Sequence, residues 1–462
     1  MDSLGTLADL IADTPPDHAA PGPLGRAGMA LVDFIGVALA GSREPVSQKI
    51  AAFSRDSGPA GAASVIGGGF STGPAEAALA NGVIGHALDY DDSSFLLGGH
   101  PSVTLLPAVL ALGQAGGRSG RDVLLAYVTG FEAMMRIARA VNFEHYERGW
   151  HPTATLGVFG AAAACARLLG LPRSEAAAAI GLAASMASGI KANFGAMAKP
   201  LQVGHAAQKG LLCALWAKAG ITASAAALDG KQGFFMVYNG AGAFRPEAVQ
   251  EAGEEPEIMR SGLLFKRYAC CGSTHVGIDA ARELRRRHAF DPAAITQVKL
   301  ALNPRRLPHV DRPWAADALE AKFSLQFTVA AALIDNGVGL SHFTEAAVSR
   351  ADIRGLMARV SVGPVSGDDV ALGQPCLLTV TLADGRDFSV RLDGPVGREI
   401  EAYPGYMRDK FLDCAGQVTD AATAAALLEQ SLAFSELDDI GPLLRAAAAA
   451  GHHHQKGKDI RA

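Results

Sequence analysis

Apolar positions in the first half of the chain recur at helical spacing, in runs broken by glycine and proline. Segments 27–40, 74–90, 102–115, 121–141, 153–169, 173–188, 205–219 and 222–228 each read as a helix, and helix against helix is the obvious way to bury them. Gly117 ahead of Arg118-Ser119-Gly120, and Leu171-Pro172 ahead of Arg173-Ser174-Glu175, supply the breaks that helix ends need. After Gly262 the texture changes. Residues 295–302 and 358–364 have the alternation and β-branching of strands. Residues 376–382 and 388–392, joined by Ala383-Asp384-Gly385, read as a hairpin whose Asp-Gly supplies positive φ angles. Helices are predicted beside these strands at about 274–288 and 321–336. From Gly394-Pro395 onward the helical pattern returns at 407–414, 419–429 and 440–449. The expected fold is mainly α: a large all-helical domain built from both chain ends (1–262 and 395–462) and a smaller α+β domain (263–394).

Composition narrows the picture. With 462 residues the chain exceeds one ordinary core; 49% of it is apolar but only 6% aromatic, and the surplus lies in Ala and Gly, which suits closely packed helices. A net charge of -5, without a basic arm or stripe, excludes nucleic acid as an expected partner. Cys165, Cys213, Cys270, Cys271, Cys376 and Cys414 lack C-x-x-C spacing, which argues against a zinc module and a disulfide framework and fits a reducing cytoplasm. Asp2, Asp9 and Asp13 precede no signal-like apolar core. The most apolar stretch, 155–166, stops at Arg167, too short to span a bilayer, and reads as a buried helix; no membrane partner is expected. His452, His453 and His454 could bind metal, but at a polar terminus they read as a disordered end.

Four polar clusters interrupt the apolar pattern. The first is His86-Ala-Leu-Asp89-Tyr90-Asp91-Asp92-Ser93-Ser94, followed by Gly98-Gly99-His100-Pro101-Ser102. Three carboxylates in four residues are costly to bury without partners. They can present acid, hydroxyl and imidazole to one pocket, or Asp92 and Ser102 can simply cap helices. A magnesium site would need a second acidic cluster that the chain lacks, so no metal is assigned. The second cluster is Glu144-His145-Tyr146-Glu147-Arg148-Gly149-Trp150-His151-Pro152-Thr153, in which Tyr146 and His151 are candidates for proton transfer. His151 precedes a Pro-opened helix, where backbone N–H groups favour anions.

The third cluster runs from Lys191 through Lys199-Pro200-Leu201-Gln202 to Gly204 and reads as a loop between apolar helices. Lys199 can hold a substrate carboxylate, act as a base if desolvated, or form a structural ion pair with the acidic cluster. The fourth, Lys266-Arg267-Tyr268-Ala-Cys270-Cys271-Gly272-Ser273-Thr274-His275, leads into a helix and makes a carboxylate receptor, with His275 in the first turn. No nucleotide loop, serine elbow or metalloprotease helix is present. General acid–base chemistry with His, Asp, Tyr and Lys remains.

In order along the chain, His86-Ala-Leu-Asp-Tyr-Asp-Asp, Gly99-His100-Pro101-Ser102, Trp150-His151-Pro152-Thr153, Lys199-Pro200-Leu201 with Gly204, and Lys266-Arg267-Tyr268 through His275 resemble the signatures of the MmgE/PrpD family. The similarity extends from Val32-Asp33-Phe34-Ile35-Gly36 to Lys410-Phe411. That family includes 2-methylcitrate dehydratase, cis-aconitate decarboxylase and iminodisuccinate epimerase. The resemblance implies a helical domain from both chain ends, a smaller α+β lid, an active site between them, a homodimer and no cofactor. It places Asp89, Ser93, His100, His151, Lys199 and His275 on active-site positions, and Tyr146 where epimerase-like members use a tyrosine. Lys199, Lys266 and His100 would hold carboxylates, with Arg267 beside them, while His151, Tyr146 or His275 exchange protons. Two departures, His309 where a decarboxylase carries tyrosine and Gln202 where many members carry histidine, argue against decarboxylation of cis-aconitate. The leading expectation is therefore a dehydratase acting on a small di- or tricarboxylate. An epimerase comes next, with a decarboxylase as a further alternative and a non-catalytic helical binding protein last.

Overall fold

The computed structural model describes residues 2–251, 253–365, 375–394 and 403–451, without the side chains at 309 and 403–405. The histidine run at 452–454 lies outside the described residues. The chain divides into two units, Met1–Phe265 with Pro404–Ala462, and Lys266–Tyr403.

The first unit is a helical body. Its long helices are Ser3–Ala12, Pro21–Gly41, Pro45–Ser57, Pro74–His86, Ser102–Ala115, Gly120–Val141, Gly157–Leu169, Arg173–Met186 and Ala198–Lys218, joined from the other chain end by Tyr403–Gly416, Ala421–Leu432 and Gly441–Ala450. Proline opens several of them, at Pro21, Pro45 and Pro74, where the missing N–H costs nothing. The Ala- and Gly-rich composition has a direct structural use. A Cβ on Gly130 would lie 2.5 Å from the Gly160 carbonyl oxygen, and one on Gly210 would lie 2.4 Å from Ala161 Cβ, so these backbones approach too closely for larger residues. Phe34, Phe131, Phe159 and Phe411 fill the remaining core. Helices Pro21–Gly41 and Pro152–Leu169 are long and apolar enough to cross a membrane, yet 83% and 89% of their apolar windows are buried inside the protein. They are core helices here.

The structure departs from the sequence expectation in several places. The helix expected at 222–228 does not form. Instead the Ser224 hydroxyl accepts from the Ala226 amide at 3.1 Å and the Ser224 carbonyl from Ala227 at 3.1 Å, a local turn that competes with helix ahead of Gly230 and Gly233. The helix expected to reach 90 ends at His86. Lys199 stands in the first turn of a helix, not in a loop. Helices Ser3–Ala12 and Pro45–Ser57 and a hairpin, β1 (Ala63–Val65) with β2 (Phe70–Thr72), were not anticipated, so the helical unit is not purely helical. Strands of three residues are too short to show a period. This hairpin is held by buried amides: Ser64 N donates to Gln114 Oε1 at 2.7 Å and Ile66 N to Asn81 Oδ1 at 2.9 Å.

The second unit is α+β. Strands β3 (Ile295–Leu302), β4 (Val360–Pro364), β5 (Cys376–Leu382) and β6 (Asp387–Leu392) form one sheet in the order β4-β3-β5-β6. The β3–β4 pair is parallel and the other pairs antiparallel, with Val298 opposite both Val360 and Val380. Cys376, Leu378, Val380 and Leu382 alternate inward, and helices Gly272–Arg287 and Leu325–Asp335 pack with this sheet. The β5–β6 turn uses positive φ only at Gly385 (+85°); Asp384 instead accepts the Arg386 amide at 3.0 Å. All six cysteines are free, five of them buried.

Candidate active site

Two glycines set up the site in the helical unit. A Cβ on Gly204 would lie 2.3 Å from the Leu79 carbonyl oxygen, and one on Gly82 would lie 2.6 Å from Gly204 Cα. Helices Pro74–His86 and Ala198–Lys218 therefore meet backbone to backbone. Lys199, in the first turn of the second helix, then reaches the chain that leaves the first.

That chain turns sharply. Asp89 adopts φ +54°, with its amide donating to the His86 carbonyl at 3.1 Å. The left-handed region costs an ordinary side chain about 1–3 kcal/mol, and Asp is among the residues that tolerate it best. The turn throws Asp89 and Asp91 back toward His86. Lys199 Nζ donates to Asp89 Oδ1 in a buried ion pair, and His100 Nε2 lies 3.5 Å from the same oxygen. His100 Nδ1 lies 3.2 Å from Asp91 Oδ2, while His86 Nδ1 is 2.9 Å from that oxygen. The His86 and His100 rings meet edge-on at 4.7 Å, and the His151 ring lies 6.3 Å from His86. The His86 side chain is fully enclosed, whereas that of His100 is 13% exposed and forms the open side of the group.

The loop bearing His100 is held close by Gly99, where a Cβ would fall 2.5 Å from Thr153 Oγ1, and that hydroxyl accepts the His100 amide at 3.0 Å. His151 precedes the short helix Pro152–Thr155; its amide donates to Gly189 O at 3.1 Å, and Lys191 N donates to Gly149 O at 2.8 Å. Gln202, one turn beyond Lys199, turns Oε1 to His151 Nδ1 at 2.9 Å and donates through Nε2 to Ile190 O at 3.3 Å. The second contact fixes the amide orientation. His151 must then carry its proton on Nδ1, leaving a lone pair on Nε2.

Burial pushes His86 down to about 4, and the charge of Lys199 adds to this against the pull of Asp91. His86 is therefore neutral near pH 7. Its Nδ1–H donates to Asp91, and its Nε2 is buried without a hydrogen-bond partner among the described residues. Burial likewise takes His151 well below an ordinary histidine, with further lowering from Lys199 and His86. For Asp91, burial opposes ionisation, but the contacts with His86 and His100 prevail and hold the carboxyl well below its usual range. The arrangement provides neutral imidazole, ammonium and carboxylate in one place, which is the equipment for moving a proton next to a bound anion.

Could the group hold a metal? His86, Asp89, Asp91 and His100 offer ligand atoms within 4.8 Å of one another, a spacing seen nowhere else among the described residues. His100, however, divides its two nitrogens between two carboxylates instead of converging with them on one point. The Lys199 ammonium also occupies Asp89, and a cation would have to compete with it.

Of the residues expected from sequence, the structure brings together Asp89, His100, His151, Lys199 and Gln202. The ion pair of Lys199 with the acidic cluster, one of the readings left open, is present. Tyr146 lies on the short helix Glu144–Glu147, its ring 3.5 Å from Lys191 Nζ and beside Gly98. Ser93 pairs through its backbone with Leu264, at 2.9 and 2.8 Å. Asp92 does serve a helix end: it accepts from the Ser102 hydroxyl and amide at the start of Ser102–Ala115.

The α+β unit carries the fourth cluster. Arg267 lies 3.7 Å from Asp279, which also accepts from the Tyr268 hydroxyl at 2.7 Å. Lys266 is buried. His275 sits in the first turn of Gly272–Arg287, its Nε2 3.3 Å from the Cys270 carbonyl and its ring edge-on to Tyr268. The side chain of His309 lies outside the described residues. The sequence placed His86 and Asp91 in a cluster that could share one pocket but assigned neither an individual role. Their signal was present, since both lie within five residues in an apolar region, but a helix continued to 90 would have kept Asp91 away from His86.

The MmgE/PrpD N-terminal domain matches residues 5–247 and the MmgE/PrpD C-terminal domain matches residues 268–434. Among curated relatives, the cis-aconitate decarboxylase of Homo sapiens is 30% identical over 330 residues, covering 69% of this chain and 68% of its own. That of Mus musculus is 27% identical over 458 residues, covering 95% and 92%. That of Aspergillus terreus is 29% identical over 448 residues, covering 91% of each.

Proposed function

This chain belongs to the MmgE/PrpD family, and from that premise we propose that it is a lyase that removes a proton from the carbon next to a carboxylate of a small hydroxylated di- or tricarboxylate, as a 2-methylcitrate dehydratase does. The observation that supports this reading is the neutral His151, its Nδ1 proton committed to Gln202, within reach of the Lys199 charge. A substrate carboxylate joins Asp89 at the Lys199 ammonium, which then stabilises the charge that develops as the α-carbon is deprotonated. His151 Nε2 takes that proton. The C–H electron pair becomes the new C=C bond, the C–O bond breaks, and the departing hydroxide leaves as water with a proton from His100, the most open member of the cluster. His86 and Asp91 hold His100 from behind. The reading takes the enzyme to be a cofactor-independent homodimer.

A second reading, decarboxylation of cis-aconitate, is favoured by the names of the relatives. Its proton runs the other way: carbon dioxide leaves first and the carbon must then be protonated, which calls for a group that begins as an acid. The depressed His151 is better suited to begin as a base. The test is incubation with 2-methylcitrate, cis-aconitate and iminodisuccinate, following alkene absorbance, carbon dioxide and configuration. Alkene from the hydroxylated acid supports dehydration. Carbon dioxide release without it establishes the second reading, and inversion without alkene makes the enzyme an epimerase.

A further inference from the structure

We propose that Lys410 is a positioning residue for this site, holding the turn that carries Asp89 and Asp91 through the carbonyl oxygen of Tyr90. The proposal rests on the acid–base reading of the cluster. Lys410 comes from helix Tyr403–Gly416, 320 residues further along the chain, and its Nζ donates to Tyr90 O at 2.8 Å. The same ammonium lies 2.6 Å from Asp33 Oδ1 on helix Pro21–Gly41 and 3.9 Å from the centre of the Tyr90 ring. Both charged side chains are 2% exposed. Water therefore contributes little to orienting them, and contacts to two separate segments, the turn at Tyr90 and helix Pro21–Gly41, fix the ammonium.

The location of this contact matters more than its strength. The Tyr90 carbonyl belongs to the peptide plane joining Tyr90 to Asp91, directly after the left-handed Asp89. Fixing that plane sets the direction in which the Asp91 carboxylate leaves the backbone and holds the chain one residue beyond Asp89. One residue on, Asp92 is tied to the Ser102 hydroxyl and amide, and that hydroxyl is 2.6 Å from Tyr127 Oη. The turn is thus anchored at Tyr90 and Asp92, while Asp91 between them and Asp89 just before them face Lys199, His100 and His86. Burying an ion pair is a poor route to stability, since well-packed apolar side chains of similar volume often do as well. An apolar pair cannot supply a directional hydrogen bond to one carbonyl, and that is what Lys410 adds.

The test compares wild type with the double variant Asp33→Asn/Lys410→Met, which removes both charges together at similar volume, and with Lys410→Arg, which keeps the pair but broadens the head group. The readouts are kcat and KM on whichever acid is turned over, the thermal midpoint, and ring resonances of ¹³C-labelled histidine. Loss of the anchor is expected to lower kcat about tenfold to a hundredfold in both variants with KM little changed. The cluster histidines, His86 and His100, should shift. A folded variant with wild-type kcat and unchanged histidine spectra would overturn the proposal, because a purely structural pair affects only the midpoint. If the double variant does not fold, Lys410→Arg alone decides by the same criteria. The histidine spectra need no substrate, so they decide the matter even if every acid tested is inert, an outcome that would count against the proposed reaction instead.

Discussion

The ammonium of Lys199 and the carboxylate of Asp89 form a buried pair across 110 residues of sequence, and Asp89 makes it from a left-handed backbone position. Asparagine tolerates that conformation nearly as well as aspartate. Asp89→Asn is therefore expected to fold, with a lowered thermal midpoint because Lys199 is left buried without its counter-charge, while kcat/KM falls by roughly a hundredfold or more as Lys199 and His100 lose their shared anion. Full activity in a folded Asp89→Asn protein would remove Asp89 from the site.

The burial of His151 has a kinetic consequence. Because its lone pair is the proposed base and its pKa lies well below the ordinary 6.5, the acid limb of kcat/KM against pH should have its midpoint below that value. Activity should hold nearly level from pH 7.5 to 6.5. An acid limb centred at or above 6.5 would mean that a more exposed group is the base.

Stability should follow pH for the same physical reason. His86 and His145 are both pushed down to about 4 by burial, His145 being enclosed by Asn239, Thr155 and the ring of Trp150. Between about pH 6.5 and 4 the unfolded chain binds protons at these sites and the folded chain does not. Folding is therefore favoured by neutral histidine above 6.5, and that stability is lost as pH falls through the window, on the order of 3 kcal/mol for each residue. Asp91, held below its usual range, contributes only at lower pH. Urea midpoints at pH 7 and 4.5 check this. Equal midpoints would contradict it.

The close crossing at Gly204 predicts a packing effect with a functional echo. A methyl group there must push away the Leu79 carbonyl, so Gly204→Ala should destabilise by roughly 1–3 kcal/mol. It should also lower kcat, because the displaced helix carries Lys199 and Gln202. Calorimetry and kinetics on the same preparation test both parts; wild-type values for both would show that the helices have slack at this point.

These relationships mark the limit of what the sequence makes legible. Helical periodicity located most long helices and the β5–β6 hairpin, since Ala- and Leu-rich faces and an Asp-Gly turn are local signals. The polar clusters also singled out Asp89, His100, His151 and Lys199, because charges in small-residue surroundings need partners, and the family resemblance implied that they share one site. The direction of the chain after His86 was not legible. A left-handed Asp89 has no strong local signature, and an uninterrupted helix through Tyr90 hid the meeting of Asp91 with His86. Lys410 was equally hidden, since nothing near it in sequence shows that its partners are Asp33 and Tyr90. The turn at 222–228 failed for the opposite reason: an alanine-rich pattern there was overridden by one serine bonding to its own neighbours.

The central claim is that His151 removes a proton from the α-carbon of a carboxylate substrate. Its most direct test is the fate of that hydrogen in deuterium oxide, followed by proton NMR for wild type and for His151→Asn with 2-methylcitrate. Wild type should lose the α-proton as alkene forms, and the folded variant should lose it at least a thousandfold more slowly. Undiminished loss of the α-proton in His151→Asn would contradict the account.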